Sequence, residues 1–246
     1  APIAQSPSLH LDPPKINFFH KRSSKKNSSS ISTKNMKIAI IAYNRIKPFD
    51  FKPSHRAMVK RVAPKATIVV PSNAVAASKL VSTVDIVAGF PAIIPPLKNA
   101  QNLKWIHSFS AGVDKLLTPE LIDSKILVSN SSGIHATPIA EHIIGFMLIF
   151  TRRFHQSFRH QQQYTWEKDR SLSELKGKHV VIVGLGAIGT ETARLSHCFG
   201  ANVSAVVRTM RGKPEFIDTL VSANNLHRVL PKADFEIIAT ALTNFG

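Results

Sequence analysis

His179-Val-Val-Ile-Val-Gly-Leu-Gly-Ala-Ile-Gly-Thr-Glu-Thr-Ala-Arg-Leu195 decides how the rest of the chain is read. The run Val180 to Val183 is short, β-branched and uncharged, which predicts a buried strand. It ends at Gly184, and the spacing Gly184-x-Gly186-x-x-Gly189 leads into a helical pattern through Leu195. Each glycine answers a separate steric demand. Gly184 permits the tight turn off the strand, Gly186 permits a pyrophosphate to approach the backbone, and Gly189 permits the helix to lie close to the strand. The helix start offers N–H groups near Ala187 and Ile188 and a positive dipole end to an anion. A tight structural turn alone is the competing reading; the placement between a buried strand and a helix favours a dinucleotide site.

The next strand, Ala201-Asn-Val-Ser-Ala-Val-Val207, bears on the choice of nucleotide. NAD sites commonly place an Asp or Glu about 20 residues beyond the glycines, on the ribose hydroxyls. Here the strand runs into Arg208-Thr209-Met210-Arg211, and no acid occurs between Glu191 and Glu215. Guanidinium groups pair bidentately with phosphate oxygens, so Arg208, Thr209 and Arg211 favour the 2′-phosphate of NADP(H), with NAD(H) the second choice. A solvated basic turn is the alternative.

The 246 residues suffice for two modest domains, and 43% hydrophobic residues suit a packed α/β protein. The single cysteine excludes an internal disulfide and fits a reducing compartment. We expect a cytoplasmic protein with no membrane or nucleic-acid partner. The formal charge of +17 is uneven: residues 1–65 hold 14 Lys/Arg against 2 acids, and residues 66–246 hold 18 against 13. Residues 1–35 are Ser-, Lys- and Pro-rich without apolar periodicity and are read as a disordered basic extension. They are an organelle-targeting segment, a basic tail or a stretch outside the functional protein, and we favour the last.

From Met36 onward, strands at 37–42, 67–70, 84–88, 104–108 and 125–128 alternate with helices near 55–62 and 73–80, which implies a parallel sheet. Thr137 and Pro138 suit the cap and first position of a helix that is apolar nearly all round from Ile143 to Phe150, so burial on most sides is expected. Residues 155–174 read as a polar link. Beyond Arg211 we expect a strand at 219–221, a helix at 224–230 and a strand at 234–240. The expected divisions are 1–35, a substrate domain at 36–136, an interdomain helix at 137–155 and a nucleotide domain at 156–246, incomplete because a full dinucleotide fold needs further strands.

Taken together, Asn102-Leu-Lys-Trp-Ile-His-Ser-Phe-Ser-Ala-Gly-Val-Asp114, Thr137-Pro-Ile-Ala-Glu-His142, Trp166, Leu175-Lys-Gly-Lys178 and the glycine turn occur in an order that resembles the D-isomer-specific 2-hydroxyacid dehydrogenases over residues 36–246. The Arg208-Thr209 ending resembles the glyoxylate/hydroxypyruvate reductase-like members that use NADPH. The resemblance implies an α/β chain with a flavodoxin-like substrate domain, an NAD(P)-binding Rossmann domain and an active site between them. It implies that Ser110, Ala111 and Gly112 offer N–H groups to the carboxylate of a small 2-oxo or 2-hydroxy acid, an arrangement glycine suits by allowing close approach. Gly89 and Phe90 correspond to a second substrate-side loop, and Thr240 and Ala241 lie where the cofactor passes the next strand. A homodimer is implied for the full-length protein.

The same family uses an Arg, and a His paired with a carboxylate, to clamp the substrate and protonate its carbonyl oxygen. All three positions fall beyond the segment matching Thr240 to Thr243, so no catalytic residue is assigned within the chain. His107, His135 and His142 are read as structural or surface groups, with no metal-ligand spacing. Cys198, at a helix end, is read as core. The alternative function is a catalytically inactive nucleotide-binding scaffold or fragment.

Overall fold

The computed structural model describes residues 36–43, 50–168 and 171–240. The expectations for residues 1–35, for the stretch around Pro48 and for Ala241 lie outside them. The chain divides between Ser132 and Gly133 into two compact units.

The first unit holds β1 (Lys37–Ile41), α1 (Pro53–Val62), β2 (Thr67–Val69), α2 (Ala74–Val81), β3 (Ile86–Gly89), β4 (Trp105–Ser108), α3 (Pro119–Ile122) and β5 (Leu127–Asn130). Its five strands are all parallel in the order β2-β1-β3-β4-β5, the flavodoxin-like arrangement. The central strands β1 and β3 are buried along nearly their whole length, as the apolar runs Ile38 to Ile41 and Ile86 to Ala88 require when both faces of a parallel sheet are covered. One face packs on Ile106, Leu116, Leu121 and Val81, the other on Ala63, Ala66 and Ile68.

β5 begins two residues later than the sequence suggested. Ser124 Oγ accepts the Ile126 N–H at 3.1 Å, so the chain is still turning at 125–126, and pairing starts with Trp105 opposite Leu127. This offset sets Ser129 opposite His107 and Asn130 opposite Ser108.

The second unit holds α4 (Ala136–Thr151), α5 (Phe154–Gln162), β6 (His179–Val183), α6 (Ala187–Cys198), β7 (Asn202–Val207), β8 (Thr219–Ser222) and β9 (Phe235–Ile238). Its parallel order, β8-β7-β6-β9, is that of a Rossmann half extended by one strand, with the topological switch between β6 and β9. Ile144 and Met147 of α4 share a core with Val180, Ile182, Ala193 and Val203.

Helix α4 opens at Ala136 with His135, not Thr137, at the cap position and no side-chain cap. A preceding turn at Gly133, whose φ is +93°, already supplies the Ala136 N–H with an acceptor, the Gly133 carbonyl. The same helix is not buried on most sides: Ala140, Ile144, Met147 and Thr151 form the buried stripe, while Phe146 and Phe150 are 49% and 61% exposed. The 155–174 stretch is not all link, since α5 occupies its first half; its polar residues hid the Phe154–Phe158 pair one turn apart. The expected helix at 224–230 is a 3₁₀ turn at Ala223–Arg228 followed by another at Leu230–Lys232, where Pro231 lacks the donor an α-helix needs.

Both sheets are pinned at their entry ends by the same device. Asp85 accepts the Lys37 N–H at 2.9 Å and the Lys104 ammonium at 2.8 Å. Asp234 accepts the His179 N–H at 2.8 Å and the Lys178 ammonium at 3.1 Å. The Lys104 ammonium bond and then the Lys37 amide hold the Asp85 carboxyl below its ordinary pKa; for Asp234 the His179 amide is the first cause. Carboxyls that titrate lower when folded than when unfolded stabilise fully above about pH 4 and lose that contribution as pH falls through their folded values. Wild type is therefore expected to lose stability more steeply, as pH falls below about 4, than an Asp85→Asn/Asp234→Asn double variant, measured by urea midpoints. Parallel losses would show that the two aspartates do not carry the acid sensitivity.

Candidate functional site

The glycine turn sits at the switch point of the second sheet. Gly184 has φ +101°, and a Cβ there would lie 2.8 Å from the Ala239 carbonyl oxygen, so both conformation and space demand glycine. Its N–H donates to Val206 O at 2.9 Å, and the Ala239 N–H donates to Val183 O at 2.8 Å, so the turn is held between β7 and β9. Gly189 is buried, and a Cβ there would run into the Gly184 carbonyl oxygen, which is how closely α6 approaches the end of β6. Gly186 differs from both. Its backbone is extended, and a Cβ there would meet no atom within 4 Å.

Helix α6 starts with no side-chain cap, leaving its first-turn N–H groups at Ala187 and Ile188 above this open ground. These features fit the pyrophosphate of a dinucleotide: room over a glycine backbone, next to an uncapped helix start at a switch point. The acid closest in sequence, Glu191, is neutralised by Arg194, whose guanidinium donates to its two carboxylate oxygens at 2.6 and 2.9 Å and holds its pKa below the usual value.

The two arginines beyond β7 do different things. Arg211 reaches back and donates from Nη2 to the Leu185 carbonyl, inside the glycine turn. Arg208 and Thr209 are exposed at the end of β7. Thr240 is exposed, with its methyl 3.1 Å from where a Gly184 Cβ would stand. Cys198, expected in the core, is exposed. The buried stripe of α6 runs through Gly189, Thr192, Ala193 and Ser196, and position 198 falls off it.

In the first unit the Ser108, Ser110, Ala111 and Val113 carbonyls of the loop after β4 are tied back. The Asn130 side-chain amide donates to Ala111 O at 2.6 Å, Ser131 Oγ donates to Ser108 O at 3.1 Å, and Ser110 O accepts from Ser108 Oγ at 2.9 Å and from the Ser131 N–H at 3.3 Å. Val113 O accepts the N–H groups of Leu116 and Leu117. Among the described residues no acceptor partners the N–H groups of Ala111 and Gly112. With the Ser108, Ser110, Ala111 and Val113 carbonyls occupied, the unpaired Ala111 and Gly112 donors give this part of the loop the positive partial charge that suits an anion. Asp114 is the opposing charge, its carboxylate 3.6 Å from where a Gly112 Cβ would stand.

Of the companion loop, Phe90 stacks edge-on against Phe109 at 5.6 Å. Gly89 is buried, and a Cβ there would lie 2.7 Å from Ile41 O, so its glycine is explained by strand packing. The sequence reading missed Asn130 and Ser131, whose placement depends on the offset of β5.

His107 is half-buried on β4, and burial lowers its pKa, favouring a neutral ring. His135 and His142 are exposed. Among the described residues no group of His, Cys, Asp or Glu could hold a metal ion, and no helix is long and apolar enough to cross a membrane.

Residues 144–245 match the family described as D-isomer specific 2-hydroxyacid dehydrogenase, NAD binding domain. The glyoxylate reductase of Thermofilum pendens is 30% identical over 149 residues, which are 58% of this chain and 44% of that protein. The D-3-phosphoglycerate dehydrogenase of Archaeoglobus fulgidus is 33% identical over 110 residues, 44% of this chain and 21% of that one. The crystal structure of a D-isomer specific 2-hydroxyacid dehydrogenase family protein from Aeromonas salmonicida superposes with a TM-score of 0.73 at 26% identity, over 87% of this chain and 66% of that one. The chain thus spans less than half the length of these curated relatives.

Proposed function

We propose, from the premise that this chain belongs to the D-isomer-specific 2-hydroxyacid dehydrogenases, that the whole protein is an NADP(H)-preferring reductase of a small 2-oxo acid of the glyoxylate or hydroxypyruvate type. The observation that carries the reading is the open ground over Gly186 beside the uncapped start of α6. Gly184, Gly186, Ala187, Ile188 and Gly189 would hold the pyrophosphate. Thr240 and Ala241 would flank the cofactor, and Arg208, Thr209 and Arg211 its 2′-phosphate. The bound nicotinamide supplies the hydride, converting the 2-oxo acid and a proton to the D-2-hydroxy acid.

The unpaired N–H groups of Ala111 and Gly112 would take the substrate carboxylate, with Ser110 beside them through its hydroxyl, because its N–H is already bonded to Ser108 Oγ at 3.1 Å; Gly89 and Phe90 would border it. The glyoxylate reductase named above supports the substrate class. By analogy with the family the full-length protein would be a homodimer, and its single cysteine suits a cytoplasmic location. No residue of the chain is proposed as the acid that protonates the carbonyl oxygen.

The test is a calorimetric titration of residues 1–246 with NADPH and NADH, together with NADPH oxidation in the presence of glyoxylate. Binding of NADPH ahead of NADH, without turnover, is expected. A folded chain that binds neither nucleotide ends the proposal, and turnover by these residues alone would require a catalytic acid among them.

A further inference from the structure

The rings Trp105, His107 and Phe109 alternate along one face of β4 and its continuation, and Ser129 of β5 and Ser131 just beyond that strand stand beside them. Trp105 Nε1 donates to Ser129 Oγ at 2.8 Å, His107 Nδ1 lies 2.9 Å from the same oxygen, and His107 Nε2 lies 3.4 Å from Ser131 Oγ. The Ser131 hydroxyl proton is committed to the Ser108 carbonyl at 3.1 Å, because a carbonyl can only accept. Ser131 Oγ must therefore accept from His107, which puts the ring proton on Nε2. In a neutral ring Nδ1 is then bare and accepts the Ser129 hydroxyl, which in turn accepts Trp105. One direction satisfies every group: Trp105 to Ser129 to His107 to Ser131 to Ser108.

We infer that His107 is a positioning residue, a neutral Nε2–H imidazole that aims the Ser131 hydroxyl at Ser108 and so sets the loop whose Ala111 and Gly112 N–H groups face a carboxylate. This deepens, and rests on, the reading of that loop as the carboxylate site. The Ser108 carbonyl and Ser108 hydroxyl lie at the root of the loop, the latter accepting the Ser110 N–H at 3.1 Å while donating to Ser110 O. A second contact works in the same sense. The His107 ring meets Phe109 edge-on at 6.0 Å, and Phe109 meets Phe90 at 5.6 Å, so one imidazole braces both substrate-side loops. Without the Nε2 donor, the Ser131 hydroxyl is free to rotate, and the loop root loses a fixed partner.

The test uses residues 1–246 labelled with ¹⁵N. Long-range correlation spectra of the His107 ring are expected to give the Nε2–H form; the Nδ1–H form, or an imidazolium at neutral pH, overturns the inference. Oxamate, which carries the carboxylate and adjoining carbonyl of glyoxylate, is then titrated against the Ala111 and Gly112 amide signals. H107F and S131A should bind it about tenfold more weakly, as loss of one fixed hydrogen bond predicts, while H107Q, whose amide keeps a donor near the Nε2 position, should stay within about threefold of wild type. Thermal midpoints are recorded for each. A role confined to packing would lower the midpoint and leave oxamate affinity unchanged, and that result overturns the inference. Should H107F fail to fold, S131A carries the same comparison. If wild type itself shows no response at Ala111 and Gly112, the carboxylate reading fails, and the ring tautomer with the ligand-free amide shifts of S131A decides the inference on its own: unaltered shifts reject it.

Discussion

Gly189→Ala is expected to destabilise the second unit by about 3 kcal/mol or more, whereas Gly186→Ala should change stability by no more than about 0.5 kcal/mol. The two substitutions add the same methyl group, three residues apart in the same turn, so the difference isolates geometry. At position 189 the methyl is driven into the Gly184 carbonyl oxygen, with Ile182 Cγ2 at 3.2 Å on another side. Neither neighbour can yield cheaply: Gly184 is fixed by its bond to Val206 and by Ala239, and Ile182 is fully buried. Helix α6 would have to lift off β6, opening the core it shares with α4. At position 186 the backbone is extended and the space is empty, so the methyl costs nothing in the free protein.

The order reverses for ligand. The Gly186→Ala methyl stands where a pyrophosphate must touch the backbone, and NADPH affinity should fall at least about tenfold with folding intact. Urea midpoints and NADPH titrations of both variants check the pair. A stable Gly189→Ala protein would contradict the close approach of helix to strand, and a Gly186→Ala protein with full affinity would remove the phosphate from that place.

Much of this site was legible because it depends on short-range rules. A glycine triplet after an apolar run can be read from spacing, and so can the strand alternation that yields two parallel sheets. The anion-facing loop was legible only through family resemblance. What organises it is a hydrogen-bond pattern supplied from 19 to 24 residues away, by Asn130 and Ser131. That pattern depends on β5 pairing from Leu127 onward, and strand register is set by tertiary partners rather than by propensity. Cys198 failed for a related reason: apolar character suggested burial, but the helix face that packs is defined by Gly189, Thr192, Ala193 and Ser196. The exposed Phe146 and Phe150 show the same limit, since an all-apolar helix tells nothing about which side this chain covers.

Arg208→Ala and Arg211→Ala should separate into a specificity effect and a general one. From sequence alone both arginines suit a 2′-phosphate equally. Arg211 bonds to the Leu185 carbonyl, between Gly184 and Gly186, so part of its donor capacity serves the turn that either nucleotide would use. Arg208 ends the strand in solvent with its guanidinium uncommitted among the described residues, at the position where the ribose edge is read in folds of this kind. Removing Arg208 should therefore weaken NADPH by roughly 10- to 100-fold, the range of a charge-assisted hydrogen-bonded pair, and leave NADH nearly unchanged. Removing Arg211 should weaken both nucleotides by comparable factors and lower the urea midpoint, because the Leu185 carbonyl loses a donor. Titrations with both reduced nucleotides, repeated at high salt to screen the phosphate contact, read the two effects apart. An Arg208→Ala protein with an unaltered NADPH-to-NADH ratio would make that side chain a surface charge and pass the preference for NADPH to Thr209 or Arg211.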